Sequence, residues 1–451
     1  MTKKQFKYDF LRGLGSAIIE LQTSDNPKKF SDIILYGCLH NTTYDMQCEG
    51  DRSWYLYYAT KLAGVKETIE AAVIQKYFCV TEDIWLFDQL TAILYHYASN
   101  GSELAYAALY QQYENMLKEL SPQKRKHNGT YPRRDMFDWL CVWLTSLDGW
   151  SAFTRIVRDI SEILLPQDKD RFFSEWFYDN SKSKFGKKRV DDYLRKQAEQ
   201  SALIRMYYDM ARAWDAHVFP NRPAPTFEEV LAAADGQKYR GRGTAMTFAR
   251  NAGPDEIEKL AQAAMDATNA KIQLELLWPF RRTAMYPFPE EFLAQLRETD
   301  NEELRYIAYD IIGRNPSQKT RELALSLIKS GEDIENGVTL LSKNLRSADE
   351  ALFFDAVKTV PVSLNSQAWH GVFMAAVDGL NGMRGKPKTD VLEYLYRNTL
   401  CGSCREHIVR LMHKKKVLTE AILQECRFDA NCDTRNFAQR IIKAKKIDIS
   451  F

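Results

Sequence analysis

Apolar side chains recur along this chain at the three- and four-residue intervals of amphipathic helices, and strand-like alternation is never sustained beyond a few residues. The clearest stretch is 301–331. Leu304, Ile307, Ala308, Ile311 and Ile312 form one helical stripe, which Gly313-Arg314-Asn315-Pro316 stops. Ser317 then starts a second helix whose stripe is Leu323, Ala324, Leu327 and Ile328, and Gly331 ends it. Two short helices with one apolar stripe each cannot bury those stripes alone, so they require neighbours of the same kind.

Upstream, the same periodicity predicts helices over 6–21, 28–39, 53–62, 66–77, 82–98, 103–117, 136–147, 152–165 and 191–217, with short connections between most of them. Two stretches interrupt the rhythm. Residues 121–134 read as an exposed basic loop with Lys124, Arg125, Lys126, Arg133 and Arg134; residues 180–189 read as a second, with Lys182, Lys184, Lys187, Lys188 and Arg189. Pro220, Pro223 and Pro225 mark a linker. The expected division is an aromatic-rich helical array over 1–219, a Pro-rich linker over 220–226 and a repeat domain over 227–451. All the tryptophans except Trp278 and Trp369 lie before the linker. Ser347-x-x-Glu350 and Ser403-x-x-Glu406 fit capping boxes.

The octet from Arg305 to Ile312 recurs as Arg435 to Ile442, three periods of roughly 43 residues further on, with Ala308 matched by Ala438 and Ile311-Ile312 by Ile441-Ile442. An acid precedes each Arg: Asp300 and Glu303 in one copy, Asp433 in the other. This resembles the acid/Arg/Ala/aliphatic pattern of HEAT-like (armadillo/HEAT class) repeats and covers about residues 227–442. The resemblance implies an all-α fold, an α-solenoid or α-α superhelix of stacked antiparallel helix pairs. It implies a fold and not an activity.

Bulk properties narrow the class further. With 45% hydrophobic and 27% charged residues among 451, wholesale disorder is excluded. The net charge of +2 is spread evenly over both halves, so any nucleic-acid contact must come from local patches. No apolar run is long enough for a membrane span, and the N-terminal residues lack the apolar core of a secretory signal. Eight cysteines set mostly inside helical patterns suit free thiols in a reducing cytoplasm.

Four places carry candidate chemistry. The densest polar cluster is His40, Asp45, Gln47, Glu49, Asp51 and Arg52, a set able to hold a metal or an acid/base pair, or simply to cap helices. Cys401-x-x-Cys404, with Cys426 and Cys432 downstream, departs from zinc-ribbon spacing and reads as buried thiols, so no metal and no cofactor is expected. Gly236 to Thr244, with Lys238, Arg240 and Arg242, has glycines but no P-loop Lys-Ser/Thr, and reads as an exposed turn before a helix over 244–250.

Asp135, Trp139 and Trp143, one helical turn apart, lie beside the basic loops. HEAT-like-repeat DNA glycosylases hold a damaged cationic base against Trp and Asp, which makes these three the catalytic candidates under that resemblance. This chain departs from that family, since none of its tryptophans is followed four residues later by Asp. The leading expectation is therefore a non-catalytic cytosolic scaffold or adaptor that binds a protein or peptide on a concave face. The alternative is a nucleic-acid partner met by Lys124, Arg125, Lys126, Arg133, Arg134, Lys182, Lys187, Lys188, Arg189, Arg240 and Arg242.

Overall fold

The computed structural model describes residues 1–50, 52–120, 133–164, 175–216, 224–236, 240–363 and 368–445. Among them are twenty-six α-helices and no strand, and most helices pack on their neighbours in the chain. No helix among the described residues is long and apolar enough to cross a membrane. The chain forms two compact units. The first is Met1–Phe219 with Leu400–Glu406 and Thr419–Phe451; the second is Pro220–Thr399 with His407–Leu418. A linear division at 220–226 has no such return of the chain to its first unit. Residues 220–223 of the expected linker, like Asp51, Lys124, Arg125, Lys126 and Lys238, lie outside the described residues, as does the side chain of Arg240.

The first unit contains α1 (Lys3–Arg12), α2 (Gly15–Thr23), α3 (Ser31–Leu39), α4 (Met46–Glu49), α5 (Ser53–Leu62), α6 (Lys66–Cys79) and α7 (Ile84–Ser99). It continues with α8 (Glu103–Glu119), α9 (Arg134–Ile163), α10 (Glu175–Phe185), α11 (Lys187–Gln200) and α12 (Ala202–Ala216). Three expectations are corrected here. The helix expected over 6–21 is two, because Gly13 turns left-handed (φ 76°) and its N–H closes onto the Asp9 and Phe10 carbonyls. The helix expected over 191–217 is also two, broken where Ser201 is extended. The basic loop expected over 180–189 is helical, as α10 and α11 meet at Gly186 (φ 89°). Arg133, expected in the first basic loop, instead precedes α9, and Arg134 opens that helix.

Helix α7 is apolar nearly all round and packs against α3, α5, α6, α8 and α9, as a helix with no polar face must. Buried beside its core residues, Gln89 donates to the Gly37, Cys38 and His40 carbonyls at 3.2, 3.1 and 3.3 Å, satisfying the end of α3. The returning chain supplies α25 (Glu420–Cys426) and α26 (Cys432–Lys445). It docks by backbone: Ala430 N–H donates to the Gly13 carbonyl at 2.8 Å, and a Cβ built on Gly15 would stand 1.9 Å from the Glu425 carbonyl oxygen.

The second unit holds α13 (Phe227–Asp235), α14 (Arg240–Asn251), α15 (Pro254–Asp266), α16 (Ala270–Leu277), α17 (Glu290–Glu298), α18 (Glu302–Gly313) and α19 (Gln318–Ser330). It goes on through α20 (Ile334–Ser342), α21 (Glu350–Thr359), α22 (Ala368–Gly382) and α23 (Thr389–Asn398); α24 (Gly402–Lys414) follows. Helices α14, α16, α18, α20 and α22 each touch the next in file, while α15, α17, α19 and α21 each lie on the helix that follows. The stretch 301–331 folds as its pattern predicts: Asn301 caps α18, Ser317 caps α19, and Gly331 ends α19 left-handed (φ 75°). The expected capping boxes do not form. Ser347 Oγ donates to the Arg384 carbonyl (3.2 Å), and Ser403 lies inside the first turn of α24 with its Oγ on the Cys48 carbonyl (2.8 Å).

The two sequence copies share one local design. Asn301 Oδ1 accepts from Leu304 N–H, and Asn431 Oδ1 accepts from Thr434 N–H. Thr299 Oγ1 accepts from Asn301 N–H as Asp429 Oδ1 does from Asn431 N–H. Arg305 donates back to the Thr299 carbonyl (2.7 Å) and Arg435 to the Asp429 carbonyl (2.6 Å). Ala308 and Ala438 are both fully buried.

Candidate functional site

The polar cluster of the first unit is spent on architecture. Asp45 caps α4, accepting from Gln47 and Cys48 N–H. Glu49, buried, accepts from Asp45 N–H (2.9 Å), from Gly402 N–H (2.8 Å) and from Arg52 (3.0 Å). Arg52, also buried, donates to the Leu11 and Leu400 carbonyls at 2.9 and 3.1 Å. The Glu49 carboxylate and the Arg52 guanidinium thus clasp the returning chain, away from solvent. His40 stacks on Tyr36 with its Nδ1 on the Tyr36 carbonyl, and Gln47 is exposed. A second clasp, which sequence reading missed, joins Arg405 and Asp429: both are fully buried, with Nε–Oδ2 2.6 Å and a second bond of 3.1 Å.

Cys401 and Cys404 are buried thiols, as their pattern suggests. The hydrogen bond with Cys401 first, then burial, drives the Cys404 thiol well above its ordinary value.

The aromatic candidates on α9 also hold helices together. Trp143 Nε1 donates to Asp88 at 2.8 Å, with its ring against Tyr95. Trp139 stacks on Trp176, while Asp135 stays exposed on the first turn. Next to this pair a cleft of about 410 Å³ is lined by Glu175, Trp176, Asp179 and Trp214. Asp179 there is already met by Lys182 (2.7 Å) and by Trp214 Nε1 (3.3 Å).

Most described members of the basic patch have partners within their own unit. Arg133 meets Glu119 (3.3 Å) and the Val80 carbonyl. Lys182 and Lys187 converge on Asp215 at 2.7 and 3.2 Å. Burial works to raise the Asp215 carboxyl, yet the two ammonium groups overcome it and hold the group below the usual carboxylate range. Arg189 lies over the Trp150 ring and Lys188 is exposed. In the second unit, Arg242 bonds Glu275 (3.0 Å) and Glu303 (2.7 Å). The expected turn at Gly241 and Gly243 is the first turn of α14, and a Cβ on Gly241 would meet Glu275 Oε2 at 2.7 Å. A carboxylate of the chain already stands where a phosphate would be greeted.

A cleft of ligand size lies in the second unit, lined by described residues. It is about 400 Å³ in volume and opens between α17 and α19 over the end of α18. Tyr286, Pro287 and Phe288 close one side, and Leu293, Ala294, Ile311, Ile312 and Leu323 supply an apolar lining. Glu290, Lys319, Asn315 and Ser317 form a polar rim, where Lys319 reaches Glu290 at 2.9 Å across the mouth. Arg297 faces the same space from α17, and its Nε is buried with no hydrogen-bond partner. The sequence signal for this site is slight: Arg297 falls four residues after Leu293, on the stripe that turns inward.

No family model matches the chain, and no curated protein matches it.

Proposed function

We propose that this chain is an interaction module: its second unit is an α-solenoid of HEAT-like helix pairs that holds a protein or peptide in the cleft between α17 and α19. The observation that carries this reading is the cleft itself, an apolar lining with a polar rim between two consecutive helices of the same layer. The file of α14 to α22 and the shared design around Arg305 and Arg435 support the repeat class. Glu49, Trp139 and Trp143 are engaged in holding helices, which favours binding over chemistry. Free thiols suit a reducing cytosol.

Panning a displayed library of random linear peptides on the full chain tests this reading, with hydrogen exchange to locate what is enriched. Enrichment with protection of residues 286–323 is the expected result. No enrichment, together with nucleic-acid binding whose affinity falls log-linearly with salt, would replace it with the nucleic-acid reading.

A further inference from the structure

We propose that the cleft between α17 and α19 recognises a peptide segment in which an Asp or Glu adjoins apolar side chains, with the carboxylate seated on Arg297. This rests on the interaction-module reading and adds the chemistry of the partner.

The argument starts from Arg297. A guanidinium carries five donors in a fixed fork, and a buried donor without an acceptor is costly. Several arginines of this unit have acceptors: Arg281 meets Asp310 at 2.5 Å, Arg305 the Thr299 carbonyl, Arg314 the Phe280 and Ala284 carbonyls, and Arg321 meets Asp349 although its Nε, too, is buried without a partner. Arg297 lines the cleft and makes neither an ion pair nor a hydrogen bond there among the described residues, its Nε being buried without an acceptor. An arriving carboxylate completes the same arginine–acid pairing that the neighbouring helices make internally, and a planar carboxylate fits the fork with two parallel bonds.

The rest of the lining decides what carries that carboxylate. Leu293, Ile311, Ile312 and Leu323 offer apolar contact beside Arg297, so a hydrated anion alone leaves most of the surface unused. A space of about 400 Å³ takes two or three side chains of a peptide segment. Asn315 lies exposed at the rim, where its amide can pair with a passing backbone. Glu290, already tied to Lys319, stays at the mouth and disfavours a second acid there, which places the ligand's charge at the Arg297 end.

The test uses two fluorescent peptide pools with Leu, Ile, Phe, Tyr and Ala randomised around one fixed position, Asp/Glu in one pool and Asn/Gln in the other. Anisotropy with the full chain is expected to show the acidic pool binding about tenfold or more tighter, as a charge-assisted pair requires. Arg297→Gln should erase that difference with little change in melting temperature, since it removes no native hydrogen bond or ion pair, and Arg297→Lys should restore part of it. Equal binding of both pools, with residues 286–323 protected from exchange, would overturn the carboxylate assignment and leave the module reading standing. Competition by hexanoate as effective as that by peptide would overturn the peptide assignment. Failure of every pool and of the random library to bind would overturn both.

Discussion

Arg405 and Asp429 are each fully buried, and each is tolerable only because the other is there. Removing one partner leaves an uncompensated charge in the interior, so Arg405→Met or Asp429→Asn is expected to cost about 3–5 kcal/mol, read from urea unfolding followed by tryptophan emission. Replacing both with apolar residues should recover much of that loss; a double variant as unstable as the singles together would contradict it. Asn301 and Asn431 allow a finer comparison, since each caps its helix through the same offset. Substitution of either by Ala should cost about 1 kcal/mol, and clearly unequal costs would argue that the two copies are alike in sequence only.

Elements were legible where the stop signals are local, and misread where they are not. The pattern Phe10, Leu14, Ile18 and Leu21 stays in phase across Gly13, so periodicity alone joins α1 to α2. What fixes the break is contact with residues 425–430, which lie too far along the chain to be seen locally. Gly15→Ala should therefore be severely destabilising, because backbone and not a pliable side chain stands in the way. Gly243, inside α14 with open space around it, provides the contrast: Gly243→Ala should stabilise by up to about 1 kcal/mol. The lysines of 180–189 looked like a loop because the acid that Lys182 and Lys187 share, Asp215, is supplied from α12. Asp215, held below the usual range by Lys182 and Lys187, stabilises α10 to α12 above its unfolded value and loses that contribution as pH falls through its depressed one. Acid weakening of this tie should thus begin only below about pH 4. Lys182→Met should move the acid-unfolding midpoint upward; an unmoved midpoint would show that Asp215 does not govern it.

At the scale of the whole chain, the all-α class and the run of helix pairs were readable because 3.6-residue periodicity is repeated so often. The cleft was not. Its walls come from three helices whose spacing no local pattern encodes, and its one telling residue, Arg297, looks in sequence like any surface cation. The polar cluster and its capping role were legible, but the partners of Glu49 and Arg52 beyond residue 399 were not.

That distant partnership has a consequence for how the protein is made. A ribosome delivers Glu49, Arg52 and Gly13 long before Leu400, Gly402 and Ala430 exist, so two buried charges and the joint between α1 and α2 wait through the synthesis of residues 220–399. Nascent chains stalled before residue 400 should show protease sensitivity at α1, α2 and α4 that vanishes once residue 445 has emerged. For that interval the first helices are a natural client for chaperones, while the later unit has most of what it needs to close on its own.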